Sequence, residues 1–221
     1  MVSLNILKTS TPKKTAILLG ATGLTGSLAL EQLLSNANYG TIKLFSRKST
    51  GISHPKVKEY IGDLLFLESF KEDLTGDELY ICIGTTKKKT PNHQQYRKID
   101  LGIPEKAVEI CKNNGVSKVA VVSAIGANAK SSIAYNKIKG EMEHAVLSAN
   151  IEHTYILRPS FIAGNRKEQR TGEELGIAAF KWFKFLIPKK YRSVEAKFIA
   201  AKMIELCNSD APSTIIESND I

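Results

Sequence analysis

Tyr135 and Lys139 stand four residues apart, and Ser123 lies twelve residues before the tyrosine. Four residues make about one helical turn, so a helix here puts phenol and ammonium on one face. An ammonium so placed would stabilise a phenolate and suit the side chain to exchanging a proton at ordinary pH. In this reading Tyr135 is the general acid or base, and Ser123 hydrogen-bonds a carbonyl or hydroxyl of a substrate. A Tyr-x-x-x-Lys pair also arises by chance on surface helices, so its meaning depends on what precedes it.

What precedes it is Gly20-Ala21-Thr22-Gly23-Leu24-Thr25-Gly26, directly after an apolar run. Three glycines at this spacing have separate uses. The first permits a tight turn, the second lets backbone N–H groups approach a pyrophosphate, and the third allows close packing of the following helix. That helix then faces the anion with unpaired donors and its positive dipole end. The segment reads as a dinucleotide cradle, and a purely structural glycine turn is the competing reading. With a dinucleotide in place, Lys139 would also hold the nicotinamide ribose while hydride moves between cofactor and substrate carbon.

Other positions refine the cofactor. The second apolar run ends Phe45-Ser46-Arg47-Lys48, where an acidic residue would accept from a free 2′-hydroxyl and a cation would accommodate a 2′-phosphate. Arg47 and Lys48 therefore favour NADP(H) over NAD(H), unless they are ordinary solvated charges on a turn. Asp63, with Leu64 beside it, is placed to meet the adenine, or Asp63 caps a short helix. Gly84 and Thr85 follow the fourth apolar run, where a sheet of this class opens its ligand crevice.

These residues need a scaffold, and the chain supplies one. Short apolar runs at 15–19, 42–46, 57–61, 79–83, 118–122 and 154–157 alternate with helical patterns at 24–36, 100–113 and 132–149. That alternation predicts a doubly wound α/β fold of the Rossmann type, a mostly parallel sheet with helices on both faces. Pro104 must sit in the first turn of its helix or kink it. Two further amphipathic helices are expected at 173–186 and 194–207, separated by Pro188 and a basic turn.

Together, GATGLTG, the CIGTT step at Cys82 to Thr86, VVSAIGANAKSSIAYNKIKGEME and LRPSFIAGNRKEQRTGE resemble the atypical short-chain dehydrogenases/reductases, within them the Tat-interacting-protein-like subgroup. The resemblance covers nearly all of Thr15 to Cys207. It implies an NAD(P)H-binding fold and carries family roles onto Gly20, Gly23 and Gly26 for pyrophosphate and Arg47 for the adenosine phosphate. It also implies Gly84 and Thr85 beside a ribose, Ser123, Tyr135 and Lys139 in catalysis, and Arg158, Pro159 and Ser160 at the nicotinamide edge. Similar proteins include redox sensors and regulators. Only 57 residues follow Gly164, so a small substrate cap is expected, formed mainly by 164–192, in place of a separate substrate domain. Arg166 and Arg170 within it are candidates for holding an anionic substrate, or are solvated loop arginines.

Composition bounds the rest. With 221 residues, 43% hydrophobic and 24% charged, the chain is expected to be one globular domain and is far from the balance of a disordered chain. Thirty-one Lys and Arg against 22 Asp and Glu give a net charge of +9, a field that attracts anions without naming one. Cys82, Cys111 and Cys207 form no CxxC pair and have no histidine at ligand spacing, so no metal site is expected. No apolar stretch approaches the roughly 18 residues of a membrane span, and a cytoplasmic protein is the expectation. Lys87-Lys88-Lys89 and Lys189-Lys190-Tyr191-Arg192 raise nucleic-acid binding as a rival, but no basic stripe with interleaved aromatics accompanies them. The leading expectation is an oxidoreductase on a small carbonyl or alcohol, monomeric or homodimeric. The alternative is a non-catalytic NADPH-binding regulator that answers to a protein partner.

Overall fold

A computed structural model describes residues 12–164 and 188–221. Its sheet has seven strands: β1 (Lys14–Leu19), β2 (Tyr39–Ser46), β3 (Val57–Ile61), β4 (Glu78–Ile81), β5 (Lys118–Val122), β6 (His153–Arg158) and β9 (Thr214–Glu217). All neighbours pair parallel, in the order β3-β2-β1-β4-β5-β6-β9. The order reverses between β1 and β4, which opens a crevice above their carboxyl ends. Two shorter strands, β7 (Ile162–Ala163) and β8 (Val194–Glu195), pair beside it.

The central strands read as apolar runs because both faces are covered. Alternate residues divide between two cores. Ile17, Leu19, Leu79, Ile81, Val119 and Val121 pack towards α3 (Ile103–Asn113) and α4 (Ala134–Ser148). Ala16, Leu18, Tyr80, Ala120 and Val122 pack towards α1 (Leu24–Ser35) and α5 (Ala196–Cys207). The fold is thus the doubly wound Rossmann type that the alternation predicts.

Three details differ from the sequence-based expectation. The fourth strand closes at Ile81 instead of residue 83, although the Cys82 N–H still donates to the Leu19 carbonyl at 2.9 Å. The helix expected from Asp100 begins earlier, as α2 (His93–Arg97), and passes through a widened turn at Lys98–Gly102 into α3. There the Ile103 N–H reaches back five residues to the Lys98 carbonyl, and Pro104 occupies the first turn of α3, where its missing N–H costs little. The edge strand β9 is the third difference: its short Thr-Ile-Ile-Glu run was not among the expected strands. The helix expected at 173–186, most of the expected cap, and Arg166 and Arg170 lie outside the described residues.

Candidate functional site

The turn after β1 shows why only glycine serves at two of its positions. Gly20 has φ +91°, and a Cβ there would stand 2.6 Å from the Cys82 carbonyl oxygen. A Cβ on Gly26 would overlap the Gly20 carbonyl, so α1 rests directly on the turn rather than on the strand. At Gly23 an added Cβ would meet the Gly20 oxygen at 3.3 Å, a tight but lesser conflict. Gly23 is also the N-cap residue of α1 and has no side chain to cap it. Among the described residues nothing neutralises this helix start, and an anion is its natural complement. Thr22 is exposed and Thr25 buried. Leu24 packs at the site of Gly164, where a Cβ would fall 2.9 Å from its Cδ1.

Arg47 and Lys48 are exposed past the end of β2. Their turn is held by the Ser46 hydroxyl, which donates to the Lys48 carbonyl at 2.7 Å, and by the Gly62 N–H on the Ser46 carbonyl at 3.0 Å. The carboxylate brought towards this turn is Glu59, in register with Leu44. It accepts from the Ser49 hydroxyl and from the Thr50 N–H and hydroxyl, which lowers its pKa. Asp63 accepts from the Leu65 N–H at 3.0 Å and so caps the short helical turn that contains buried Leu64.

Across the crevice, the Gly84–Thr85 step lies against the Asp100–Lys139 pair. Lys139 is buried, and its Nζ lies 3.3 Å from Oδ1 of Asp100, which is only 1% exposed. The other carboxylate oxygen, Oδ2, accepts from the Thr85 N–H at 2.9 Å. A Cβ on Gly84 would stand 3.5 Å from Asp100 Oδ1 and 4.0 Å from Lys139 Nζ, so the glycine keeps the mouth of the crevice open above the pair. Tyr135, one turn earlier on α4, is 42% exposed and makes no side-chain hydrogen bond among the described residues.

Ser123 departs from its expected role. It is buried, and its hydroxyl donates to Glu143 Oε1 at 2.5 Å. Glu143 lies eight residues beyond Tyr135, about 12 Å along the helix axis. Ser123 therefore faces the middle of α4 and not its first turn. Arg158 also departs from the nicotinamide edge: it clamps Glu143 through Nε at 2.9 Å and Nη2 at 2.6 Å, and holds Glu217 through Nη1 at 3.0 Å. The hydrogen bond to Glu143, outweighing burial, drives the arginine pKa further up. The Pro159 carbonyl accepts from the Ile125 N–H at 2.9 Å. The Ser160 N–H donates to Ser218 Oγ at 3.1 Å, and its hydroxyl donates to the Arg192 carbonyl. The segment 158–160 thus works as a seam joining β6 to the C-terminal strand.

Sequence reasoning missed Asp100, Glu143 and Glu217. Glu143 had a signal, since it follows Lys139 by one turn, and Ser123 continues the Val119, Val121 alternation towards α4. No group of three or more His, Cys, Asp or Glu among the described residues could hold a metal. Burial pushes the Cys82 and Cys111 thiols up to about 12, far from nucleophilic range.

A family described as NAD(P)H-binding matches residues 20–181. Protein FMP52, mitochondrial, of Candida albicans is 31% identical over 173 residues, 76% of each chain. Protein HTATIP2 of Rattus norvegicus is 26% identical over 171 residues, 76% of this chain and 70% of the rat protein. In fold, the chain is similar to the Bordetella bronchiseptica enzyme WbmG, solved in complex with NAD, at a TM-score of 0.72 and 11% identity over 95% of this chain and 73% of that one. It is also similar to a short chain dehydrogenase family protein from Francisella tularensis, at a TM-score of 0.65 and 15% identity over 93% and 96%. The FMP52 relatives from four yeasts are all named mitochondrial, which overturns the cytoplasmic expectation. That expectation drew on the absence of an apolar span, which bears on membrane crossing and not on compartment.

Proposed function

This chain belongs to the NAD(P)H-binding family, with an atypical short-chain dehydrogenase/reductase fold, and from that premise we propose that it is an NADPH-preferring oxidoreductase acting on a small carbonyl or alcohol. The observation that carries the reading is the buried Lys139 at the Gly84–Thr85 step, one helical turn from the exposed Tyr135 and across the crevice from an uncapped α1. The cradle fits the group: its glycines admit no Cβ at two positions, its helix start awaits an anion, and Gly84 leaves the mouth clear. Arg47 and Lys48 support the 2′-phosphate form, because Glu59, the carboxylate brought towards their turn, is already engaged by Ser49 and Thr50.

Gly20–Gly26 would bind the pyrophosphate, Asp63 and Leu64 would flank the adenine, and Thr85 and Lys139 would line the ribose side. The bound nicotinamide supplies hydride chemistry. Tyr135 holds the proton at Oη, open to solvent for its replacement, and Lys139 orients that side of the crevice. Ser123 is read here as a positioning residue that locks α4 through Glu143. A mitochondrial setting, by analogy with the FMP52 relatives, is part of the proposal and is checked by imaging a tagged chain in cells.

A second reading, an NADPH-binding regulator without turnover, is favoured by one observation: the hydroxyl expected to meet substrate is spent on Glu143. Calorimetric titration with NADPH and NADH, then NADPH oxidation across a carbonyl panel by wild type and Tyr135→Phe, separates the readings. Turnover that the variant loses while keeping cofactor affinity supports the enzyme. Tight NADPH binding with no oxidation in wild type favours the regulator, and binding of neither nucleotide sinks both.

A further inference from the structure

Among the described residues, one buried side-chain polar atom has no hydrogen-bond partner, Asp100 Oδ1. The Lys139 ammonium, 3.3 Å away, is close enough for an ion pair but is not aligned as a hydrogen-bond donor. A buried carboxylate half-satisfied in this way costs stability, and such groups persist where the arrangement serves something else. The Thr85 N–H holds Oδ2, so the carboxylate stays aimed at Lys139.

We propose that Asp100 is a positioning residue that cancels the charge of Lys139, one helical turn along α4 from Tyr135, and so biases the site towards giving a proton over taking one. The inference rests on the reading of Tyr135 as the proton-transfer group. A lone ammonium one turn away would favour the phenolate and with it the oxidation of an alcohol. A carboxylate 3.3 Å from that ammonium turns a net charge into a dipole, whose field falls off faster. Burial of both partners keeps water from screening the pair. The site then suits carbonyl reduction: the carbon would gain hydride from a bound NADPH, leaving NADP+, the oxygen would gain the proton of Tyr135 Oη, and solvent at the exposed face would restore that proton.

Other charges lie on the surrounding elements; Lys137, two residues from Tyr135 on α4, is unchanged in every variant below. Glu141 on α4 is paired with Arg97, and Glu143 with Arg158. Lys88 and Lys89 have partners of their own. Lys98 beside α2, Lys87 on the loop after β4 and Glu105 on α3 are unchanged in the variants below, so their contribution drops out of the comparison.

The test is an ultraviolet titration of tyrosinate in cofactor-free protein. Each protein is paired with its Tyr135→Phe counterpart, so that the difference reports Tyr135 alone, and circular dichroism checks the fold at each pH. The set is wild type, Asp100→Asn, Lys139→Met and the double variant. Asp100→Asn is expected to move the Tyr135 midpoint down by about one unit or more, and Lys139→Met to move it up. The double variant should return to within about half a unit of wild type. A purely structural Asp100 would give no such opposed and cancelling shifts. An unmoved midpoint in Asp100→Asn, or a double variant retaining the full shift of either single, overturns the proposal; should Asp100→Asn not fold, Asp100→Ser takes its place. NADPH titration of the same proteins is independent of this cycle. Loss of binding in wild type with the cycle intact would remove the proposed function and leave the charge pairing standing.

Discussion

Two buried carboxylates, Glu78 near the amino end of the sheet and Asp100 near its carboxyl end, are treated differently. At the amino end Glu78, 1% exposed, accepts from Lys14 Nζ at 2.7 Å on one oxygen and from the Tyr39 and Tyr80 hydroxyls, both at 2.6 Å, on the other. Asn208 from the end of α5 closes the cluster by donating to the Tyr39 hydroxyl at 2.5 Å. At the carboxyl end Asp100 is equally buried, yet one oxygen lacks a donor and its cation sits off line. A fully satisfied buried network rigidifies, whereas a partly satisfied one is tolerated where something must bind or react. The Glu78 cluster fastens β1, β2, β4 and α5 together, and the carboxyl end, fastened by Glu143 and Arg158 at β5 and β6, is left poised at Asp100.

That contrast can be broken, and the largest effect belongs to the poised end. Tyr135→Phe should lower NADPH-dependent turnover by about 10²- to 10⁴-fold, with cofactor affinity and the urea midpoint nearly unchanged. A large fall in stability would mean that the phenol packs rather than reacts. Next comes the fastened end: Glu78→Ala should cost about 3–5 kcal/mol in urea unfolding, because it strands a lysine and two buried hydroxyls. NADPH affinity of the protein that remains folded should hold, and a matching loss of affinity would show the ends to be coupled.

Alkali tests the same contrast more gently. Burial raises the Cys82 and Cys111 thiols to about 12 and raises the Cys207 thiol and the Tyr39 and Tyr80 phenols as well. Each group stays protonated in the folded chain beyond the pH at which the unfolded chain releases its proton. Its contribution is therefore whole below the unfolded pKa, near 8.5 for a thiol, and is lost as pH rises towards the folded value. The unfolding free energy from urea titration should be level to about pH 8 and fall above about pH 9, by up to roughly 1.4 kcal/mol per unit for each thiol. A free energy that holds steady through that range would show these groups to be less sealed than the packing indicates. The smallest effect is expected at the rim, where Arg47→Ser should weaken NADPH about tenfold and leave NADH alone. Equal losses for both cofactors would remove the case for the 2′-phosphate.

How far the sequence disclosed these regions follows from the range of the interactions. Strand and helix positions were legible because they depend on local periodicity, and the glycine turn because its pattern falls within seven consecutive residues, even though Cys82 is what a Cβ on Gly20 would strike. The Asp100–Lys139 pair joins positions 39 apart, and the Arg158–Glu217 pair positions 59 apart, so no local pattern announces either. Ser123 was misplaced by a different fault. A serine at the end of the fifth strand suits a substrate contact only if its side chain faces the first turn of α4, and the alternation along β5 directs it at the body of that helix instead. The strand β9 was missed because four residues after Pro212 are too short a run to separate from a turn.

The widened turn at Lys98–Gly102 has a consequence for how this stretch of chain tolerates change. An extra residue in one turn rotates everything after it by about 100° relative to a regular helix. The oily stripe of α3, with Ala107, Val108 and Cys111 against the sheet, and the acid at position 100 are thus set at an angle that an unbroken rod would not give them. Deleting a single residue there would spin the acid away from the crevice or the stripe away from the core. Lengths upstream of α2 and downstream of α3 have more freedom to drift than this one pleat in the screw.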